Sequence, residues 1–137
     1  MHRAGGGFTI ACLAVGAALA LGVPTASADR APSKAERTAI KRAAVKWCSA
    51  APTSCEFRKA RVSTRNERYA WATVIGEGIS GVLVKRRTAH THRFKRIGVQ
   101  GGGIGECSYW RKRAPDRVLR DLHVRGLVDS GAIRSCG

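Results

Sequence analysis

The sequence predicts an α+β domain: an N-terminal helix packed on a four-stranded antiparallel sheet, with a short C-terminal helix and two disulfides. Three observations carry this. A capped helical stripe comes first, alternating apolar runs separated by short turns follow, and an even set of cysteines stands past a removable leader.

The leader spans residues 1–28. Met1-His2-Arg3 is a short positive start, Phe8–Val23 is an apolar run, and Ala26-Ser27-Ala28 is a small-x-small cleavage pattern. The run is shorter than the ~20 residues that span a bilayer, so the expectation is a signal peptide removed on export. The mature chain is then 29–137, a single secreted domain with no transmembrane segment. The chain carries 25 Lys+Arg against 9 Asp+Glu, a net charge of +16, and all but one unit of it lies past the leader. Such a balance concerns partners and solubility, not fold. It points to an anionic polymer or an acidic protein as partner.

The helix is expected from Lys34 to about Trp47. Ser33 and Glu36 fit a capping box, and Ile40, Ala43, Ala44 and Trp47 recur at helical spacing. Asp29–Pro32 reads as a short tail. Cys48–Cys55 reads as a turn in which Pro52 stops the helix. The strand runs are Phe57–Ser63, Tyr69–Ile75, Gly81–Arg87 and His92–Val99, and the short gaps between them imply antiparallel neighbours. Tyr69–Ile75 is the most apolar of them and is expected at the sheet centre. A glycine-rich stretch, Gly101–Gly105, reads as a loop or bulged strand end. Pro115-Asp116 opens the second helix, with Val118, Leu119 and Leu122 inward and Gly126 as its stop. Leu127–Gly137 reads as a tail pinned at Cys136.

Four mature cysteines allow three pairings, of which Cys48–Cys55 and Cys107–Cys136 are favoured. The first would clip the helix exit and the second would tie the tail to the last strand of the sheet. Paired Cys-x-x-Cys spacing is absent and no cysteine is left over, which argues against a metal site and against a thiol nucleophile. No cofactor or metal is expected.

The chemistry-bearing candidates are cations. Between Glu77 and Glu106 there is no Asp or Glu, yet Lys85, Arg87, Arg93, Lys95 and Arg96 flank one turn. If Val82, Val84 and Phe94 face the core, then Lys85, Arg87, Arg93 and Lys95 face out together, with Lys59 and Arg61 joining from the first strand. A solvated sheet face is the plain alternative. An unneutralised cationic face favours anion binding, which Tyr109-Trp110-Arg111-Lys112-Arg113 would extend by base stacking or a cation–π contact. The rival to a binder is a secreted hydrolase such as a ribonuclease, using His90 or His92 with Glu106 as acid and base. Glu77 and His123 are further ionisable candidates. The His90-Thr91-His92 pair lacks the carboxylate spacing of a metal site. Gly101–Gly105 lacks the Lys-Ser/Thr of a phosphate loop. A third reading is a disulfide-rigid protease inhibitor presenting the loop Ala50–Ser54.

The order of motifs resembles small secreted actinobacterial proteins of unknown function with two disulfides. Cys48, Cys55, Trp71, Cys107, Pro115, Val118, Leu122 and Cys136 carry the likeness. It implies a scaffold and no catalytic residue. Secreted microbial ribonucleases also place a helix before an antiparallel sheet, and cystatin-like folds wrap a sheet around a helix. The ribonuclease Glu, Arg and His motifs are not recognisable here. The cystatin Gln-x-Val-x-Gly motif is absent, since Gln100 is followed by Gly101-Gly102-Gly103-Ile104.

Overall fold

Ser33 starts the first helix as expected, and the fold builds outward from it. In the computed structural model, which describes residues 29–46, 55–76 and 78–137, the Ser33 hydroxyl accepts from the Glu36 N–H at 3.2 Å. The Glu36 carboxylate in turn accepts from the Ser33 N–H at 2.9 Å. This reciprocal cap begins α1 (Lys34–Val45), whose buried residues are Glu36, Ile40 and Ala44. They lie four apart, so one stripe meets the sheet.

The main sheet has five antiparallel strands in chain order: β1 (Asp29–Arg30), β2 (Glu56–Ser63), β3 (Tyr69–Gly76), β4 (Ile79–Arg86) and β5 (Phe94–Gln100). Four were expected. The fifth, β1, is the segment read as a tail. Two residues are too few to show alternation, but Asp29 and Arg30 pair with Ser63 and Val62 at the edge. β3 takes the central place that its apolar run predicts.

Alternation sends the two sets of strand side chains to opposite faces. One face holds Ala60, Val62, Ala70, Ala72, Val74, Val82 and Val84, and packs with Phe94 on Ile40 and Ala44 of α1. The opposite face holds Tyr69, Trp71 and Leu83, and it too is covered. Against it lie α2 (Cys107–Arg111) and α3 (Asp116–Asp121), through Trp110, Val118, Leu119 and Leu122. The molecule is therefore three layers, helix–sheet–helix, and the sheet has no broad outer face. Three helices stand where two were expected among the described residues.

Glycine admits the covering layer. A Cβ on Gly98 would stand 2.6 Å from the Trp110 ring, so the indole lies directly on the β5 backbone. Trp110 also meets Trp71 edge-on, with ring centroids 5.3 Å apart.

The end of α3 has the hydrogen bonds of a Schellman motif. The Val124 N–H donates to the Leu119 carbonyl at 2.9 Å and the His123 N–H to the Arg120 carbonyl at 3.0 Å. His123 accordingly has φ 55°, a conformation more often given to glycine.

The segment expected to be a tail forms a ribbon instead, β6 (Arg125–Leu127) paired with β7 (Ile133–Ser135). Gly126, read as a helix stop, lies within β6. The Cys107–Cys136 disulfide is present. It ties the ribbon to α2, not to the last sheet strand, because Cys107 opens a helix. Cys48, Trp47, Glu77 and the loop Ala50–Ser54 lie outside the described residues, and so does the Cys48–Cys55 pairing. No helix among the described residues is long and apolar enough to cross a membrane.

Closing a loop across a sequence separation of 29 constrains the unfolded chain by about 3.7 kcal/mol in the chain-entropy account. The Cys107→Ala/Cys136→Ala variant is therefore expected to unfold at clearly lower urea than the parent. An unchanged midpoint would refute a stabilising role for this bond.

Candidate anion-binding groove

The β4–β5 hairpin places like charges opposite one another. Lys85 pairs with Lys95, and Arg86 with Phe94. Such cross-strand pairs repel unless something else holds them. Here Lys85 leans onto the Tyr69 ring, its ammonium 5.0 Å from the centroid. Beyond the strand ends the chain passes through Arg87 and Arg93. The loop between them closes on itself, with the Thr91 N–H and hydroxyl both donating to the Thr88 carbonyl at 3.4 and 3.2 Å.

Arg86 fastens this end of the sheet. It is 1% exposed, a rare position for a guanidinium. Its Nε donates to the Glu67 carbonyl at 2.8 Å and its Nη1 to the Thr91 carbonyl at 3.3 Å, joining the β2–β3 turn to the β4–β5 loop. Its Nη2 stands 2.9 Å from Glu36 Oε1, an ion-pair contact without hydrogen-bond alignment. Its plane lies 5.0 Å from the Phe94 centroid. Glu36 also receives Arg30, whose Nη1 and Nη2 each donate at 2.8 Å. The Arg30 hydrogen bonds, with the Ser33 N–H and Arg86, hold the Glu36 carboxyl far below its ordinary range against the opposing effect of burial. Arg30 is raised correspondingly, chiefly by its hydrogen bond to Glu36.

On this frame a groove of about 540 Å³ is lined by Arg68, Lys85, Arg86, Arg87, Thr91, Arg93, Lys95 and Ile97. Six of the eight are cations and none is acidic. Arg86 is neutralised from behind by Glu36. Arg68, Lys85, Arg87, Arg93 and Lys95 have no carboxylate partner among the described residues. Arg68 is held in place by donation from its Nε to the Arg86 carbonyl at 3.3 Å.

Four of the seven cations expected to act together thus meet in one groove: Lys85, Arg87, Arg93 and Lys95. The other three lie elsewhere. Arg61 is engaged by the covering layer, donating to the Leu122 carbonyl at 2.7 Å and standing 3.4 Å from Asp29. Lys59 is exposed beside the β2 bulge, opposite Thr73. Arg96 pairs with Val84 past a register shift and lines a depression on the α1 side with Ala43, Lys46, Phe94 and Lys95. Arg68 was missed because only the strand register brings the turn before β3 alongside the end of β4, and Thr91, in the β4–β5 loop, was not among the expected contacts.

The acid–base candidates are dispersed. His90 is exposed in the β4–β5 loop. His92 lines a shallow surface against Lys34, Thr38 and Arg42 of α1. Glu106 caps α2, accepts from the Ser108 hydroxyl at 3.0 Å, and lines a different depression with Cys107, Ser108 and Arg111. His123 stands 3.5 Å from Asp29. No group of three potential metal ligands occurs among the described residues.

The aromatic run offers no stacking platform. Trp110 is fully buried. Tyr109 accepts from the Val99 N–H at 3.1 Å, and Arg113 covers its ring at 3.5 Å from the centroid. The expected cation–π contact is thus internal. Gly101–Gly105 is a loop whose Gly105 carbonyl accepts from the Leu127 N–H, and α2 begins only at Cys107. No protein family matches this chain, and no curated protein or solved structure matches it.

Proposed function

We propose that this chain is an exported domain that binds a phosphate-repeating polyanion, a nucleic acid or a teichoic-acid-like wall polymer, by charge. One observation carries the reading. Five cations without a carboxylate partner among the described residues line one groove whose floor is fixed by a buried, paired arginine. Guanidinium and ammonium groups held on a rigid frame bind phosphate with little ordering cost.

The same lining favours a binder over a hydrolase. It has no carboxylate and no imidazole, so the groove offers no ordinary acid–base pair for moving a proton. With no aromatic face presented, recognition falls on the backbone phosphates and not on the bases.

The test is binding of a labelled RNA oligomer and of a glycerol-phosphate polymer of equal charge across a salt series. Both are expected to bind at low salt and to weaken steeply as salt rises. In Arg87→Ala/Arg93→Ala/Lys95→Ala the slope of log affinity against log salt should fall by about 2, at roughly 0.7 per lost contact on a single strand. Absence of binding to either polymer at low salt, or an unchanged slope in the variant, would sink the reading.

A further inference from the structure

We infer that the chain carries a second phosphate-binding cluster, Arg65, Arg117 and Arg120, and that both clusters seat a single linear phosphate polymer. This rests on the groove reading and extends it.

The second cluster lines its own depression of about 490 Å³, together with Thr64 and Asp121. Arg65 comes from the β2–β3 turn. Arg117 and Arg120 are three apart on α3 and share a face. All three are exposed, and none has an ion-pair partner among the described residues.

The carboxylates of α3 are engaged elsewhere. Asp116 stands 3.7 Å from Arg111. Asp121 is buried and is used to build the turn. Its Oδ2 accepts from the Ser63 hydroxyl at 2.6 Å, the Thr64 N–H at 2.7 Å and the Arg65 N–H at 3.2 Å, and its Oδ1 accepts from the Thr64 hydroxyl at 3.2 Å. This carboxylate fixes the position of Arg65 and makes no ion pair with the three arginines among the described residues, so the depression keeps three cations against one buried acid.

The same turn leads into the first groove. Arg65 lines one depression and Arg68 the other. Three residues span at most about 11 Å even when extended. This segment is folded tighter, since the Asn66 N–H donates to the Ser63 hydroxyl and the Tyr69 N–H to the Asn66 carbonyl. Glu67, the one acid on the turn, takes the Arg30 Nε at 3.1 Å. The cations therefore run from α3 across the turn to the β4–β5 hairpin. A small anion uses one depression. A chain of phosphates long enough to bridge both gains the second set of contacts as an intramolecular event.

The experiment measures the affinity of the protein for short and long chains of linear inorganic polyphosphate. The parent should bind long chains more tightly than short ones. Arg65→Ala/Arg117→Ala/Arg120→Ala should bind short chains through the first groove as the parent does. On long chains it should be weaker by at least roughly tenfold, with a salt slope lower by about 2. Arg117→Ala/Arg120→Ala, which leaves the turn intact, should show an intermediate loss and so separates binding from folding. Equal affinity of parent and triple variant for long chains overturns the second cluster and leaves the groove standing. Failure of the parent to bind any chain overturns both.

Discussion

Glu36→Gln is expected to lower the unfolding free energy by about 3–5 kcal/mol, the usual cost of removing one partner from a buried ion pair. The size follows from Arg86, not from the capping box. Arg86 is fully desolvated and Glu36 is its only carboxylate partner among the described residues, so glutamine leaves a buried cation uncompensated. Arg30 loses the same partner but is part-exposed and keeps Glu67. Urea denaturation at neutral pH measures the effect, and a loss below about 1 kcal/mol, the ordinary value of a surface pair, would contradict it. The parent should also lose stability in acid. The Glu36 carboxyl is held below its unfolded value, so its contribution is complete above about pH 4.3 and declines as pH falls further. The variant should be flatter in that window. Because the change removes an acid and no cation, folded Glu36→Gln should bind polyanion no more weakly than the parent.

Trp110→Ala is the second large effect, expected at about 3–5 kcal/mol. Trp110 is fully buried, lies on Gly98, and makes edge-on contacts with Trp71 and Tyr109 at 5.3 and 4.8 Å. Each such aromatic pair adds about 0.5–1.5 kcal/mol beyond area burial. Truncation would open a void between β5 and α2 that a glycine cannot fill. Trp110→Phe should cost distinctly less. The indole N–H has no hydrogen-bond partner among the described residues, and removing an unsatisfied buried donor offsets part of the cavity. Chemical denaturation of both variants checks this, and equal losses would show that the void is not the cause.

How far the chain can be read by eye depends on the element. The capping box of α1 and the Ile40 and Ala44 positions of its stripe were legible, as were β2 to β5 and the central place of β3, because each shows its own period. β1 is too short to show one. α2 escaped notice because it has five residues and its N-cap, Glu106, makes no side-chain capping bond. Together α2 and α3 convert the supposed open face of the sheet into an interior, and the end of α3 occupies Arg61 through the Leu122 carbonyl. In the groove, Lys85, Arg87, Arg93 and Lys95 follow from alternation about one turn. Arg86 and Glu36 do not, because a charged residue in the sequence gives no sign that its partner lies on another element. Arg68 and Arg65 need the register of β3 against β4 and the packing of α3 over the turn. Neither is visible in local pattern.

β5 is the last strand of the sheet among the described residues, and its outer row is partly taken, the Val99 N–H by the Tyr109 hydroxyl and the Ile97 carbonyl by the Arg113 Nε, so the end nearest Lys95 is the less covered part of this edge. Lys95 and Arg96 are exposed along it, with Arg93 just before it. A strand in that position invites another copy to pair with it, and like charges along the rim discourage the approach. Arg93 and Lys95, which line the groove, thus also discourage edge-to-edge pairing of copies. Neutralising them, whether by substitution or by a bound polymer, weakens that protection at this end of β5.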